Sequence, residues 1–184
     1  IPKEGKDTAS TDAYRPLCML SCLGKLLEKI ISVRLPGELS PNQFGFRKGV
    51  STEDCVNKLV KTIERMQQKE KNNYIMAISL NIKGAFDHIE WSSIVHALIK
   101  KNCPMYLLKI IESYLSERKI KTGNAKKLLT RGCPQGGVLS APLWNIAYDE
   151  AIDYLSFNKV VHFVFADDTR LLSMHNSKTR FSIK

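Results

Sequence analysis

The chain is short of acids. Only 18 of its 184 residues are Asp or Glu against 28 Lys and Arg, which leaves a formal charge of +10 and a pI near 9.4. A deficit of that size points to a polyanionic partner, either nucleic acid or an acidic membrane face. Long apolar runs are also missing, and none approaches the ~20 residues of a membrane span. Cysteine is sparse and odd in number: Cys18, Cys22, Cys55, Cys103 and Cys133. Cys18 and Cys22 stand four apart, so a helix could put both on one face, but no Cys or His pair at zinc spacing follows. Buried apolar thiols in an intracellular protein are the simpler reading. Internal repeats, low-complexity stretches and linkers are absent from the sequence. The opening Ile1-Pro2-Lys3-Glu4-Gly5-Lys6 has neither signal-peptide character nor an initiating Met, which suggests a piece of something longer.

What is present is ordinary globular material, 43% hydrophobic and 25% charged, enough for one domain or a domain with an appendage. Apolar spacing near 3.6 predicts a helix-rich segment over 14–35, stopped by Pro36-Gly37. The polar stretch 41–49 reads as a turn or short strand. Ser51-Thr52-Glu53-Asp54 is a Ser-x-x-Asp form of the capping box and opens a helix reaching about residue 71. The period then changes: Tyr74 to Ile82 reads as a buried strand. Helices are expected over 91–101, 104–117 and 142–155. Short β-like runs at 160–165 and 171–174 flank Asp167-Asp168. The pattern is mixed α+β, with helices and strands interleaved but not strictly alternating.

Two features carry chemistry. Asp167 and Asp168 follow a β-like run, where adjacent carboxylates repel one another and add nothing to a core. At a hairpin tip such a pair suits Mg²⁺, a hard cation that takes a few carboxylate oxygens plus water and phosphates. Standing alone it would read as a solvated acidic turn. The second feature is Arg131-Gly132-Cys133-Pro134-Gln135-Gly136-Gly137, whose Gly and Pro suit a turn whose backbone closely approaches a ligand, or a plain loop before a helix. Upstream, Arg118, Lys119, Lys121, Lys126, Lys127 and Arg131 fall in fourteen residues with no acid, flanking Gly123-Asn124 as a basic hairpin. These cations fit either a solvated edge that blocks aggregation or a strip tracking a phosphate backbone.

Taken in order, the segments resemble the reverse transcriptase domain of non-LTR, LINE-like retrotransposons over nearly the whole chain. The resemblance rests on Ile1-Pro2-Lys3, Tyr14-Arg15-Pro16-Leu17 and Leu23-Gly24-Lys25-Leu26-Leu27-Glu28-Lys29. It continues through Asn42-Gln43-Phe44-Gly45-Phe46-Arg47-Lys48-Gly49, Ser51-Thr52-Glu53, Ile82-Lys83-Gly84-Ala85-Phe86-Asp87, Gly132-Cys133-Pro134-Gln135-Gly136 and Phe165-Ala166-Asp167-Asp168. It implies a right-hand polymerase, with fingers over 1–73 and an incomplete palm over 74–184 that stops before the thumb. It also implies an RNA template, a DNA primer and dNTPs as partners, Mg²⁺ or Mn²⁺ as cofactor, and no membrane or obligate protein partner. The setting would be intracellular, in the nucleus or a cytoplasmic ribonucleoprotein. By the same likeness Asp167 and Asp168 hold the metals and Arg47 meets the incoming triphosphate. Phe86 crowds a ribose 2′-OH, and Gln135 and Gly136 lie near nucleotide and template.

The chain departs from that family in one telling place. Where the family carries its first catalytic Asp, this sequence has Asn81, with one neutral carbonyl oxygen and an amide NH₂ that a cation repels. Asp87 lies six positions on and reads better as an ion pair or a cap before Trp91 than as a substitute. The expectation is a polymerase by ancestry that is impaired as a catalyst, the alternative being a non-catalytic nucleic-acid-binding remnant. A second departure, Pro142 standing one place later than in relatives, is expected to disturb the start of the helix carrying Trp144 and Asn145.

Overall fold

The computed structural model describes residues 17–69, 73–122 and 125–176, with a few isolated positions before residue 17. Ile1-Pro2-Lys3, Arg15-Pro16, the Gly123-Asn124 turn and the polar end from 177 lie outside the described residues. Among the described residues six helices and five strands run in the order α1 (Cys22–Arg34), α2 (Thr52–Lys69), β1 (Asn73–Asn81), α3 (Ala85–His88), α4 (Trp91–Lys100), α5 (Met105–Leu115), β2 (Lys119–Thr122), β3 (Ala125–Leu128), α6 (Ser140–Phe157), β4 (Val161–Phe165) and β5 (Asp168–Asn176). The mixed α+β class is as expected. No described helix is long and apolar enough to cross a membrane.

The chain packs as two units that interleave in sequence, Ile1–Gly37 with Gly84–Ala147 and Glu38–Lys83 with Tyr148–Lys184. In the first unit the apolar faces of α4 and α5 bury Ile94, Leu98, Leu107, Ile111 and Leu115, and Leu139 just before α6 and Leu143 in its first turn are buried too. Pro104 precedes α5 as its cap residue, where its missing N–H costs nothing. Pro142 is the third residue of α6, and the helix starts at Ser140 undisturbed. An amide there would have had no intrahelical acceptor, so the shifted proline is tolerated.

In the second unit an antiparallel sheet has the order β1-β5-β4. α2 lies on one face of it, with Cys55, Leu59, Ile63 and Met66 against Phe44, Phe163 and Leu172. Ile75 of β1 joins that cluster, but Ile78 and Leu80 are 40% and 46% exposed. The strand expected to be buried therefore leaves one face open, and among the described residues it lies at an edge of its sheet. An apolar run signals a face able to pack. It does not say that both faces are covered, and pleating sends Ile78 and Leu80 away from Ile75. The thiol reading also needs correction, because only Cys133 is buried and Cys22 is exposed. Burial pushes the Cys133 thiol up to about 12. Cys18 precedes α1, so the helix does not present it beside Cys22.

The capping box forms reciprocally. Ser51 Oγ accepts from the Asp54 N–H (3.2 Å), and Asp54 Oδ2 accepts from the Ser51 N–H and hydroxyl (2.7 Å each). The Ser51 backbone bond, then its hydroxyl, hold the Asp54 carboxyl below its usual value of 3.8. A depressed native value stabilises the fold above the unfolded pKa, and that contribution fades as pH falls through the native one. Ser51→Ala should therefore lower stability at pH 7 and flatten the loss below pH ~4. Urea unfolding at the two pH values checks this, and an unchanged acid slope would count against it.

Candidate active site

The acids expected to carry chemistry sit at one end of the β1-β5-β4 sheet. Phe165 and Asp168 are register partners, so Ala166 and Asp167 form a two-residue hairpin loop. Ala166 has φ +59°, as such loops require at their first position. Asp168 opens the central strand and also pairs in register with Asn81 on β1. The ladder ends as the Ile82 N–H donates to the Asp167 carbonyl (3.3 Å).

Asn81 and Asp168 are therefore brought together by strand pairing, although 87 positions separate them. The Asn81 Nδ2–H donates to Asp168 Oδ1 at 3.2 Å, and Arg170 Nη1 lies 3.9 Å from the same oxygen. With Asp in place of Asn81, two carboxylates would oppose each other across the ladder, which costs energy unless a cation sits between them. As the sequence stands, an amide proton fills that role.

This donor set can be weighed against a divalent cation. Asp167 and Asp168 supply two carboxylates beside a bend, which is within what Mg²⁺ takes from a protein when water and phosphate complete its shell. No group of three His, Cys, Asp or Glu side chains that could hold a metal occurs among the described residues. The two acids fit the ion, while the third position offers only the Asn81 carbonyl oxygen.

The loop that carries the two acids is held by the segment that the sequence marked as a turn or short strand. Residues 42–45 run beside β4 as a parallel bridge, with Phe44 N–H donating to Val164 O (2.8 Å) and Val164 N–H to Asn42 O (2.9 Å). Gln43 is fully buried, and its Oε1 accepts from both the Gly45 N–H (3.0 Å) and the Ala166 N–H (3.2 Å). A Cβ on Gly45 would lie 2.1 Å from the Ala166 nitrogen, so only glycine permits this approach. His162 Nδ1–H donates to Val160 O (2.7 Å), and its Nε2 accepts from Asn42 Nδ2–H (3.1 Å). Arg47, the expected triphosphate contact, lies half-buried, with Nη1 donating to the carbonyls of Ser40 (3.1 Å) and Gln43 (2.9 Å). Its guanidinium has further donors beyond this nitrogen.

Phe86, Gln135 and Gly136 belong to the other unit. Phe86 is half-buried against Trp144, ring centroids 5.8 Å apart and tilted by 42°. Gln135 Nε2–H donates to Asp87 Oδ1 at 2.8 Å, so Asp87 is the amide's partner rather than a cap. The cap position of α4 is Glu90. Gly136 has φ +94°, in the region favouring glycine, and Cys18 N–H donates to the neighbouring Gln135 carbonyl (2.8 Å). Glu28, which the sequence offered only within the Leu23–Lys29 stretch and with no role, is 2% exposed and anchors this loop. Its Oε2 accepts from Val138 N–H (2.5 Å) and Leu139 N–H (3.2 Å), and its Oε1 accepts from the Tyr114 hydroxyl (2.7 Å). Burial, then the Glu28 contact, push the Tyr114 hydroxyl well above its usual range. A Cβ on Gly137 would come within 3.0 Å of the carboxylate, which explains the second glycine.

Sequence reasoning thus named the acids but missed the groups that hold the loops, Gln43, Gly45 and Glu28. The available signals were a glycine inside a polar turn and an acid within an apolar helical run. Gly45→Ala should cost about 3 kcal/mol or more, as overpacking against backbone does. Gly49→Ala meets open space and should cost only the ~1–2 kcal/mol of a left-handed residue. Urea denaturation of the two variants measures the difference, and equal costs would refute the close approach.

Comparison with known proteins agrees with the motif order. The family model described as "Reverse transcriptase (RNA-dependent DNA polymerase)" matches residues 1–183. The Pol polyprotein of the type-1 retrotransposable element R1 from Bradysia coprophila is 34% identical over 91% of this chain and 17% of its own length. The probable RNA-directed DNA polymerase from transposon BS of Drosophila melanogaster is 31% identical over 96% of the chain and 21% of its own. The chain spans about a fifth of the length of these relatives. Among solved structures, a truncated apo telomerase from Candida tropicalis aligns with TM-score 0.58 and 12% identity over 82% of this chain and 34% of that one. The likeness shows a shared fold, in keeping with a reverse-transcriptase fingers and palm. The chain belongs to the reverse transcriptase (RNA-dependent DNA polymerase) family, among the non-LTR retrotransposon members that its motifs resemble.

Proposed function

We propose that the chain is an RNA-directed DNA polymerase module that transfers nucleotides from dNTPs to a DNA primer on an RNA template, impaired by Asn81. The observation that carries this reading is the meeting of Asn81 with Asp168 at the end of the sheet, beside the Asp167 turn. Asp167 and Asp168 would hold Mg²⁺, or Mn²⁺ in its place. A bound pair of such ions would neutralise charge on the transferring phosphoryl group and lower the barrier by several kcal/mol. The chain's own residues then divide the remaining work. Arg47 presents guanidinium donors of the planar kind that suit phosphate. Phe86, braced by Trp144, is the ring that would crowd a ribose 2′-OH. Gln135 and Gly136 bring an amide and a close backbone to nucleotide and template. In this reading residues 1–73 act as fingers and 74–184 as palm, working inside the cell in the nucleus or a cytoplasmic ribonucleoprotein.

Asn81 donates a hydrogen bond to the carboxylate that its family counterpart would join in binding metal. The same contact favours a second reading, a nucleic-acid-binding remnant without turnover. Asn81→Asp, compared with the Asn81 form in a complete polymerase, separates the two. Mg²⁺-dependent primer extension should rise at least roughly 100-fold, equal to about 2.7 kcal/mol of transition-state stabilisation. In metal-free buffer the Asn81→Asp variant should melt lower than the parent, because the introduced carboxylate and Asp168 repel, and Mg²⁺ should restore it. Equal extension by both forms would overturn the claim of impairment.

A further inference from the structure

The register of the basic hairpin bears on both of its sequence readings. β2 and β3 form a two-stranded sheet that joins no other strand among the described residues. Its register sets Lys119 against Leu128, Ile120 against Lys127 and Lys121 against Lys126. Directly opposed residues share a face, so Lys121 and Lys126 face each other across the ladder. Lys119, Lys121, Lys126 and Lys127 are all exposed, and none has an ion-pair partner among the described residues. Like charges in direct opposition destabilise a ribbon that is marginal by itself. Lysines that only guard an edge against a third strand gain nothing from opposing each other within the pair.

The base of the ribbon is firmly tied. Leu129 N–H donates to Arg118 O (2.8 Å), and Arg118 Nη1–H donates to Gly132 O (3.0 Å), a carbonyl that also accepts from Trp91 Nε1–H (2.9 Å). Arg131 bridges Glu90 as an antiparallel pair, and Gly132 N–H donates to Ile89 O (2.8 Å). The anchor is therefore the loop that leads to Gln135 and Gly136. A bilayer is a poor partner, because the exposed Ile120 and Leu128 fall on opposite faces and leave no one-sided apolar surface.

We propose that the β2–β3 ribbon is a clamp for the phosphodiester backbone of a nucleic-acid strand, with Lys119, Lys121 and Lys126, which share one face, as its phosphate contacts. That the strand gripped is one served to the Gln135–Gly136 loop rests on the polymerase reading above. The cations relieve their mutual repulsion on the polyanion and release its condensed counterions.

The test is fluorescence anisotropy of the 184-residue chain with labelled single-stranded RNA, DNA of the same sequence, and an RNA–DNA duplex. It runs from about 50 to about 200 mM salt with EDTA present and no nucleotide. Lys121→Gln with Lys126→Gln should reduce the slope of log K against log salt by about 1.4–1.8, or about 0.7–0.9 per cation lost. Its melting temperature should stay level or rise, so weakened binding is not unfolding. Lys61→Gln with Lys69→Gln, two exposed lysines on α2, should leave the slope unchanged. The arm that loses most slope identifies the strand. An unchanged slope, an equal loss in the α2 control, no binding by the parent chain, or a ribbon-dependent affinity for phosphatidylserine vesicles as strong as for RNA would each overturn the clamp. Because neither metal nor dNTP is present, failure of primer extension leaves this result standing and counts only against the polymerase reading.

Discussion

The acidic end of the sheet depends on one close backbone approach, that of Gly45 to Ala166. The Gln43 carboxamide oxygen accepts both of their N–H groups in a site that excludes water. Without that acceptor two buried donors would be orphaned, at about 1–3 kcal/mol each. Ala166 is also held at a positive φ that a non-glycine residue adopts only when its surroundings insist. The turn that positions Asp167 is thus imposed from a segment more than a hundred residues earlier in the chain.

The first unit repeats the device with a different group. The buried carboxylate of Glu28 takes the N–H groups of Val138 and Leu139 just before α6, where free amides and the helix dipole favour a negative charge. Tyr114 completes it from α5. Each loop to which the family likeness gives a role therefore has a polar anchor under it. Loops built this way keep their shape before any ligand arrives, which lowers the ordering cost of binding.

Much of this was legible in the sequence because the signals were local. The α2 box, the switch of period at β1, and the hairpin around Asp167 each follow from neighbouring residues. The open face of β1 was not legible, since an apolar run such as Tyr74–Ile82 looks the same whether one face or two are covered. The anchors were hidden for a related reason. Gln43 looked like one more polar turn residue and Glu28 like one charge on an amphipathic helix, because burial is decided by partners far away in sequence. Asp87 was misread likewise, as its partner Gln135 lies 48 positions on. Asn81 was the reverse case: its identity alone gave the meaning, and the structure added the hydrogen bond it donates to Asp168.

Asp167 and Asp168, with Asn81 beside them, are the proposed metal site. Mn²⁺ titration of isotope-labelled protein, read by paramagnetic broadening, tests this most directly. Broadening should begin at the backbone amides of Asp167 and Asp168 and at the Asn81 side-chain amide, and Asp167→Asn should abolish it. Broadening that begins elsewhere, or that survives the loss of Asp167, would contradict the account.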